Sequence, residues 1–234
     1  GAARAPTIIL SFRARAMTQT LSESDSKNVL AAYGIRFLPE TLATGAGEAR
    51  AFAENVDGPV VMKLCGEGIA HKTERGLVRL GINPPQVEQT FDELMEAARP
   101  EDEVTGVLVA PMVRGLREFL AGVSIDPVFG PTVVFGVGGV LAEAIDDVTV
   151  RLAPIRRHDA HDMMDSLAAQ ALLGTFRGEA APDRESIADL LCALSDAAVG
   201  IEGLVSVDLN PVMFVEGIPY ALDALVEIAG GSER

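Results

Sequence analysis

The feature that most limits the fold is a close succession of short strand patterns after Arg99-Pro100. Apolar strand patterns cover residues 104–113, 117–125 and 132–135, and a tight turn joins the last two. Such a short connection joins antiparallel strands, because a parallel crossover needs about a dozen residues or more. Helical patterns do not alternate regularly with strands, which predicts an α+β fold in two lobes with a boundary near residues 100–105.

The other elements follow from periodicity and from start and stop signals. Ser22 to Asp25 resembles a capping box that opens a helix ending at Tyr33-Gly34. Further helical patterns cover residues 47–56, 86–98, 158–171 and 183–199. The remaining strand patterns cover 59–63, 77–82 and 148–153, followed by a hairpin of 204–209 and 212–215 that turns near Glu216-Gly217 and continues through 220–225.

Charge and apolar content exclude several classes of protein. The 34 acidic and 19 basic residues give a net charge of −15, which disfavours binding to nucleic acid or to an anionic membrane. The longest uncharged stretch, residues 127–142, has 16 residues with several Gly and Pro, too few for a membrane span. Two isolated cysteines, Cys65 and Cys192, favour a reducing cytoplasm over a disulfide framework.

The first 20 residues differ from the rest, because they contain three Arg and no acidic residue. Their short apolar patch is not typical of a secretory signal. We expect residues 1–20 to be a leader outside the fold and residues 229–234 to be a tail.

The lysines point to a candidate anion site. The chain has only three, and Lys63 and Lys72 both lie in one glycine-containing segment, residues 61–76. A lysine that ends a buried strand needs an anionic partner, and the following loop adds backbone N–H groups and His71. The segment therefore fits a polyphosphate site. A lysine at the strand edge and an ordinary loop histidine explain the same spacing equally well.

Oxygen ligands and a glycine turn form two further candidates. Asp208 and Asn210 share one strand face, and Asp223 is expected on the paired strand, a donor set that suits Mg²⁺. Residues that simply shape a strand end before Pro211 give the same pattern.

The turn 136–139 has fewer glycines than a dinucleotide-binding fingerprint requires. It is therefore either a tight turn between sheet strands or a turn that holds a phosphate. Three charged residues in apolar stretches also need partners: Glu118, Glu143 and Arg151.

Three segments taken together resemble a known family. They are VVMKLCGEGIAHKTERG (60–76), the stretch from GVLVAPMVRGLREF to VTVRLAPI (106–155), and SVDLNPVMF (206–214) with ALDALVEI (221–228). In this order they are similar to the ATP-grasp β subunit or β-like domain of the ADP-forming acyl-CoA synthetases, which include acetate–CoA ligase and succinyl-CoA synthetase. The resemblance covers residues 21–228.

The resemblance implies an ATP-grasp fold that binds Mg-ATP between a small lobe (38–102) and a large lobe (21–37 with 103–228). It implies that ATP and Mg²⁺ are the cofactors and assigns site residues by position. The nucleotide would contact Lys63, Lys72, Val109, Ala110, Pro111, Met112, Glu118, Gly138, Gly139 and Arg151. The metal would be held by Asn210 and Asp223, with Asp208 close by.

The resemblance also implies a reaction and a partner. His71 would carry a phosphoryl group between the nucleotide and a second histidine on a CoA-binding α subunit or domain. With that partner the chain would be an acid–thiol ligase converting carboxylate, CoA and ATP into acyl-CoA, ADP and phosphate. Two alternatives stay open: a nucleotide-sensing module attached to an acyltransferase, and a stand-alone carboxylate–amine ligase. Leu77, Cys65 and Glu67 depart from the family pattern around the histidine loop.

Overall fold

The computed structural model describes residues 18–67, 69, 72–139 and 146–230. Two antiparallel sheets organise this part of the chain. The larger sheet has the order β1-β11-β9-β6-β7-β8, with β10 beside β9. Its strands are β1 (Thr18–Thr20), β6 (Phe119–Asp126), β7 (Gly130–Val137), β8 (Val148–Leu152), β9 (Leu204–Val215), β10 (Ile218–Ala221) and β11 (Leu225–Ala229).

The smaller sheet has the order β2-β5-β3-β4, and two helices cover one of its faces. Its strands are β2 (Thr41–Ala43), β3 (Val60–Gly66), β4 (Val78–Ile82) and β5 (Val104–Pro111), and its helices are α2 (Ala46–Glu54) and α3 (Val87–Glu96). Helix α3 buries Val87, Phe91 and Leu94, whose spacing of three and four residues forms one apolar stripe. That stripe packs into a small core with the alternating buried residues of β3.

The larger lobe has a separate core. Helices α1 (Glu23–Ala31), α4 (Arg157–Asp165) and α5 (Arg184–Gly200) belong to it. Phe119 and Phe135 stack at a ring separation of 5.3 Å at the centre of the sheet face that α5 covers. Asp183 starts α5 by accepting the backbone N–H groups of Glu185 and Ser186, so the long helix is capped where the sequence predicted its start.

The α+β class, the two lobes and the antiparallel pairing are confirmed, but three expectations were wrong in detail. Strand β5 lies between β2 and β3 in the smaller sheet, so the first strand after residue 103 belongs to the smaller lobe. Residues 18–20 pair with β11 and are part of the fold, although a leader was expected up to residue 20. The expected helix 158–171 is shorter, ending at Asp165 before a 3₁₀ turn at Gln170–Leu173.

The end of the chain also differs from the expected hairpin. Strand β9 continues from Leu204 to Val215 through Asn210-Pro211. Strands β11 and β10 are separate and pair with different parts of β9, residues 204–208 and 212–215. Asp223 therefore lies in the connection between β10 and β11 and not on a strand. None of the helices in the described ranges is both long and apolar enough to cross a membrane.

Candidate functional site

A cavity of about 500 Å³ lies between the two lobes. Its walls are largely apolar, and six charged residues line it, among them Lys27, Lys63 and Asp223. A concave, mostly apolar site with a few converging polar groups is typical of a small-molecule pocket. The other lining residues are Leu38, Glu40, Val61, Thr73, Val78, Leu80, Ala110, Pro111, Met112, Val113, Arg114, Gly115, Glu118, Asn210, Pro211, Met213, Ala221 and Leu222.

A second cavity of about 390 Å³ adjoins the first, because both are lined by Thr73, Asn210 and Asp223. The second one is more polar and also contains Lys72, Glu74 and Asp208. Its remaining lining residues are Ile69, Ala224 and Leu225. The two cavities therefore lie side by side, the first with a more apolar lining and the second with a more polar one.

All three lysines of the chain meet at one buried carboxylate, Glu23 on α1. Lys63 Nζ donates to Glu23 Oε1 at 2.8 Å, and Lys27 Nζ lies 2.9 Å from the same oxygen. Lys72 Nζ donates to the other oxygen, Oε2. Lys63 also donates to the carbonyl of Leu222 at 2.7 Å, so a lysine of the smaller lobe is fixed to two groups of the larger one.

The pKa values in this cluster favour the charged forms. Burial alone would raise the pKa of Glu23, but Lys63, Lys72 and Lys27 outweigh it and hold this pKa well below its usual range. Burial likewise opposes the charge of Lys72, whereas Glu23 and Asp223 raise its pKa above the ordinary value. Glu23 and Lys72 therefore carry their charges at neutral pH, and Lys72 lines the second cavity.

Two carboxyl groups of the second cavity behave in the opposite way. Burial raises the pKa of Asp208, and the charge of nearby Asp223 adds to the effect. Asp223 is open to the cavities, with 34% of its side chain exposed, yet protein surrounds it on the other sides. That burial, followed by the charge of Glu23, raises the pKa of Asp223, although Lys63 and Lys72 oppose it.

This donor set fits a divalent cation. Asp208 and Asn210 lie on the same face of β9, as their spacing predicted, and Asp223 borders the same cavity. The site offers two carboxylates and one amide oxygen as ligands. Both carboxyl groups have raised pKa values, and a bound cation would stabilise their ionised forms. Among the described residues no group of three His, Cys, Asp or Glu side chains is placed to hold a metal. Mg²⁺ does not require such a group, since it keeps several waters or phosphate oxygens.

Glu118 lines the first cavity immediately before β6. The glycine turn lies against it: Gly138 N donates to the carbonyl of Glu118 at 2.8 Å, and a Cβ at Gly139 would lie 3.1 Å from Glu118 Oε2. Gly139 also has a φ of +81°, a conformation that glycine adopts without strain. The turn therefore supports Glu118, and neither Gly138 nor Gly139 is among the residues that line the cavities.

A buried arginine fixes the segment before Glu118. Arg117 is 3% exposed, and its Nε donates to Glu179 Oε2 at 3.0 Å. Its terminal nitrogens donate to the carbonyls of Leu172, Gly174 and Ala180. One guanidinium thus joins the start of β6 to the segment that precedes α5.

The structure brings most of the predicted site residues together. Besides the glycine turn, two further residues line neither cavity, and two lie outside the described part of the chain. Val109 is buried in the core of the smaller lobe and faces neither cavity. Arg151 lies on β8 at an edge of the larger sheet, where it donates to the carbonyl of Val150 at 2.9 Å, and it lines neither cavity. His71 and Glu143 lie outside the described residues.

Sequence reasoning missed Glu23, Lys27 and Glu40. Glu23 was assigned only to a helix start, which Ser22 in fact caps by accepting the N–H of Asp25 at 3.1 Å. Lys27 donates to Glu40 Oε2 at 2.6 Å in the wall of the first cavity. One sequence signal could have identified Lys27. The chain has only three lysines, and the scarcity that draws attention to Lys63 and Lys72 holds equally for the third.

Residues 13–228 match a family model described as ATP-grasp domain. The β subunit of ADP-forming acetate–CoA ligase II from Pyrococcus furiosus is 39% identical over 195 residues, which cover 81% of this chain and 83% of the subunit. The ADP-forming acetate–CoA ligase I of Archaeoglobus fulgidus is also 39% identical, over 191 residues. That match covers 80% of this chain but 28% of the longer ligase.

Solved structures give the same result. A dinucleotide-forming acetyl-coenzyme A synthetase 1 of Ca. Korarchaeum cryptofilum, in complex with coenzyme A and Ca-AMPCP, superposes with a TM-score of 0.83 at 33% identity. The match covers 90% of this chain and 93% of that one. Another structure of that synthetase holds Mg-AMPPCP, with its phosphohistidine segment pointing towards the nucleotide site. It superposes with a TM-score of 0.77 at 31% identity, over 90% of this chain and 93% of that one.

Proposed function

The chain belongs to the ATP-grasp family of ADP-forming acyl-CoA ligases, and we propose that it is the nucleotide-binding β part of a carboxylate–CoA ligase. The reaction would convert carboxylate, CoA and ATP into acyl-CoA, ADP and phosphate. One observation carries the proposal. Lysines line both of two adjoining cavities, and Asn210 and Asp223 lie where the cavities meet.

The adenine would bind in the apolar part of the first cavity, beside the end of β5. Met112 N donates to the carbonyl of Pro59 at 3.0 Å, so this N–H is already used within the smaller lobe. The preceding residue, Pro111, pairs with Val60. Backbone groups point alternately towards and away from the neighbouring strand in an antiparallel pair, so the carbonyl of Pro111 points away from β3. We expect that carbonyl to accept a hydrogen bond from the adenine, between Ala110 and Met112.

The phosphates would extend towards the second cavity. Lys63 lines the first cavity and Lys72 the second, so the two ammonium groups are placed to contact successive phosphates. Asn210, Asp223 and Asp208 would hold Mg²⁺ beside them. The ion would neutralise negative charge on the phosphate oxygens.

The phosphoryl acceptor would be His71. The residues on either side of it that the structure describes, Ile69 and Lys72, both line the second cavity. A neutral imidazole nitrogen would attack the γ-phosphorus, the bond from that phosphorus to the β–γ bridging oxygen would break, and ADP would leave. The imidazole N–H proton would go to solvent as the phosphohistidine forms, and the imidazole would take up a proton again when the phosphoryl group is passed on.

The later steps would need a partner. The chain spans 28% of the Archaeoglobus ligase but 83% of the Pyrococcus β subunit, which carries the name of one subunit of a larger enzyme. We expect a CoA-binding α subunit or domain to receive the phosphoryl group on its own histidine. It would then form the acyl phosphate and release acyl-CoA.

The test is to incubate the purified chain with Mg²⁺ and [γ-³²P]ATP and to measure protein label that is stable to base and labile to acid. Wild type is compared with His71→Ala and with His158→Ala, a matched control because His158 is an exposed residue of α4. We expect label in wild type and in His158→Ala, and at least about a hundredfold less in His71→Ala, because the nucleophile is removed.

Two results would contradict the proposal. Wild-type label that survives in His71→Ala would place the acceptor elsewhere. Saturating Mg-ATP binding without any label, also after addition of the cognate α partner, would favour a nucleotide-sensing module instead.

A further inference from the structure

Glu23 occupies an unusual position in the site. Its side chain is 1% exposed, and its two oxygens accept hydrogen bonds from lysines that line different cavities. Oε1 accepts from Lys63, which lines the first cavity, and Oε2 accepts from Lys72, which lines the second. One carboxylate therefore determines where the ammonium groups of both cavities lie.

The contact also joins the two lobes. Glu23 belongs to α1, whose Leu30 packs in the larger core, whereas Lys63 belongs to β3 of the smaller sheet. A lysine ammonium is a point charge on a flexible stem of four carbons and has no fixed direction of its own. Each lysine therefore needs an anchor if its ammonium is to meet a phosphate at a defined position.

Helix stability does not account for Glu23. Ser22 already caps α1 through the N–H of Asp25, and Glu23 does not contribute to that cap. A buried carboxylate whose only role is stability needs a single cationic partner, and apolar residues often serve as well. Glu23 has three such partners, and each lines one of the cavities.

We propose that Glu23 is a positioning residue that fixes Lys63 and Lys72 at successive points along the path of the phosphates. This inference rests on the proposed function, since it requires a polyphosphate in the two cavities. Glu23 does not itself contact the nucleotide. It acts through the two lysines, and both the charge and the length of its side chain are needed.

The test compares Glu23→Gln and Glu23→Asp with wild type. Glutamine keeps the length but offers one oxygen and an NH₂ group, so it cannot accept from both lysines. Aspartate keeps the charge but is one methylene shorter. The matched control is Glu227→Gln on β11, a half-buried glutamate of the same lobe that accepts from Ser206 Oγ at 2.7 Å and lines neither cavity.

The readout is the ratio of the affinities for Mg-ATP and for adenosine, measured by calorimetry, with the melting temperature of each variant as a check of folding. We expect this ratio to fall by about tenfold or more in both Glu23 variants and to stay at the wild-type value in Glu227→Gln. The loss should appear in Mg-ATP binding, because adenosine has no phosphates for the lysines to contact.

Three outcomes would overturn the inference. Tighter Mg-ATP binding in Glu23→Gln with wild-type binding in Glu23→Asp would mean that Glu23 acts only as a repelling charge. A lower melting temperature with an unchanged affinity ratio would mean that its role is only structural. A wild-type chain that binds adenosine and Mg-ATP equally would overturn the proposed phosphate site together with this inference.

Discussion

Two buried ionic clusters of the molecule differ in whether they border the cavities between the lobes. Around Arg117 one guanidinium meets one carboxylate and three carbonyls, all in the larger lobe. Around Glu23, three lysines from both lobes pair with the carboxylates of Glu23, Glu40 and Asp223. Asp223 has a raised pKa although two of these lysines lie near it. The first cluster lines neither cavity, whereas the second borders them, where the proposed phosphate chain and cation would reach its charges.

The type of cation follows the same division. The chain has 16 arginines, and several form closed ion pairs, such as Arg75 with Asp102 at two distances of 2.7 Å. A guanidinium fork suits such fixed pairs, because its donors have a set geometry. All three lysines lie around Glu23, where compact charges on flexible stems would meet the phosphates that the proposed function requires.

The largest effect that separates the two clusters should come from Arg117→Met. This change leaves three carbonyls without their guanidinium donor and Glu179 with only the N–H of Leu116, and we expect it to destabilise the fold by about 3 kcal/mol. Chemical denaturation measures the loss. Arg157→Met is the control, since Arg157 forms exposed ion pairs that contribute little. Equal stability of the two variants would contradict a structural role for Arg117.

A smaller effect is expected from Asp223→Asn, and it should depend on metal. We expect the affinity for Mg-ATP to fall about 30-fold, because one charged metal ligand is lost, while the affinity for ATP in EDTA does not fall. Asp162→Asn, an exposed change on α4, is the control. An equal loss with and without Mg²⁺ would show that Asp223 does not act through a metal.

Lowering the pH should also weaken the binding of Mg-ATP to wild type, but the affinity should fall only a few-fold. Asp208 and Asp223 have raised pKa values, so they bind protons at a higher pH than an ordinary aspartate, whose pKa is 3.8. A protonated carboxyl is a poor metal ligand, and the affinity for Mg-ATP should therefore decrease as the pH falls from 7 towards 5. This decrease should be weaker in Asp223→Asn.

The sequence predicted most of the fold because the signals were local. Apolar periodicity and tight turns placed nearly every helix and strand and showed that the strands pair antiparallel. The position of β5 was wrong because the lobe boundary was placed where the local pattern changes, near Pro100. Whether a strand pairs with the strands before it or after it depends on long-range register, here the pairing of β5 with β2 and β3.

The site was predicted in part for the same reason. Lys63, Asp208 and Asn210 lie in short recognisable segments. Asp223 was expected beside them on a paired strand, whereas it lies in the connection between two strands. Glu23 lies 40 residues from Lys63 and 49 from Lys72, and its own segment has a sufficient local explanation as a helix start. Its role becomes visible only when the two lobes are brought together.

The most direct test of the account is the affinity of Lys63→Met for Mg-ATP and for adenosine, measured in parallel with wild type. Methionine keeps much of the apolar stem and removes only the ammonium. If the phosphates bind at the lysines around Glu23, the ratio of the two affinities should fall by about tenfold or more while adenosine binding stays at the wild-type value. Unchanged Mg-ATP affinity in Lys63→Met would contradict the central claim that these lysines form the phosphate site.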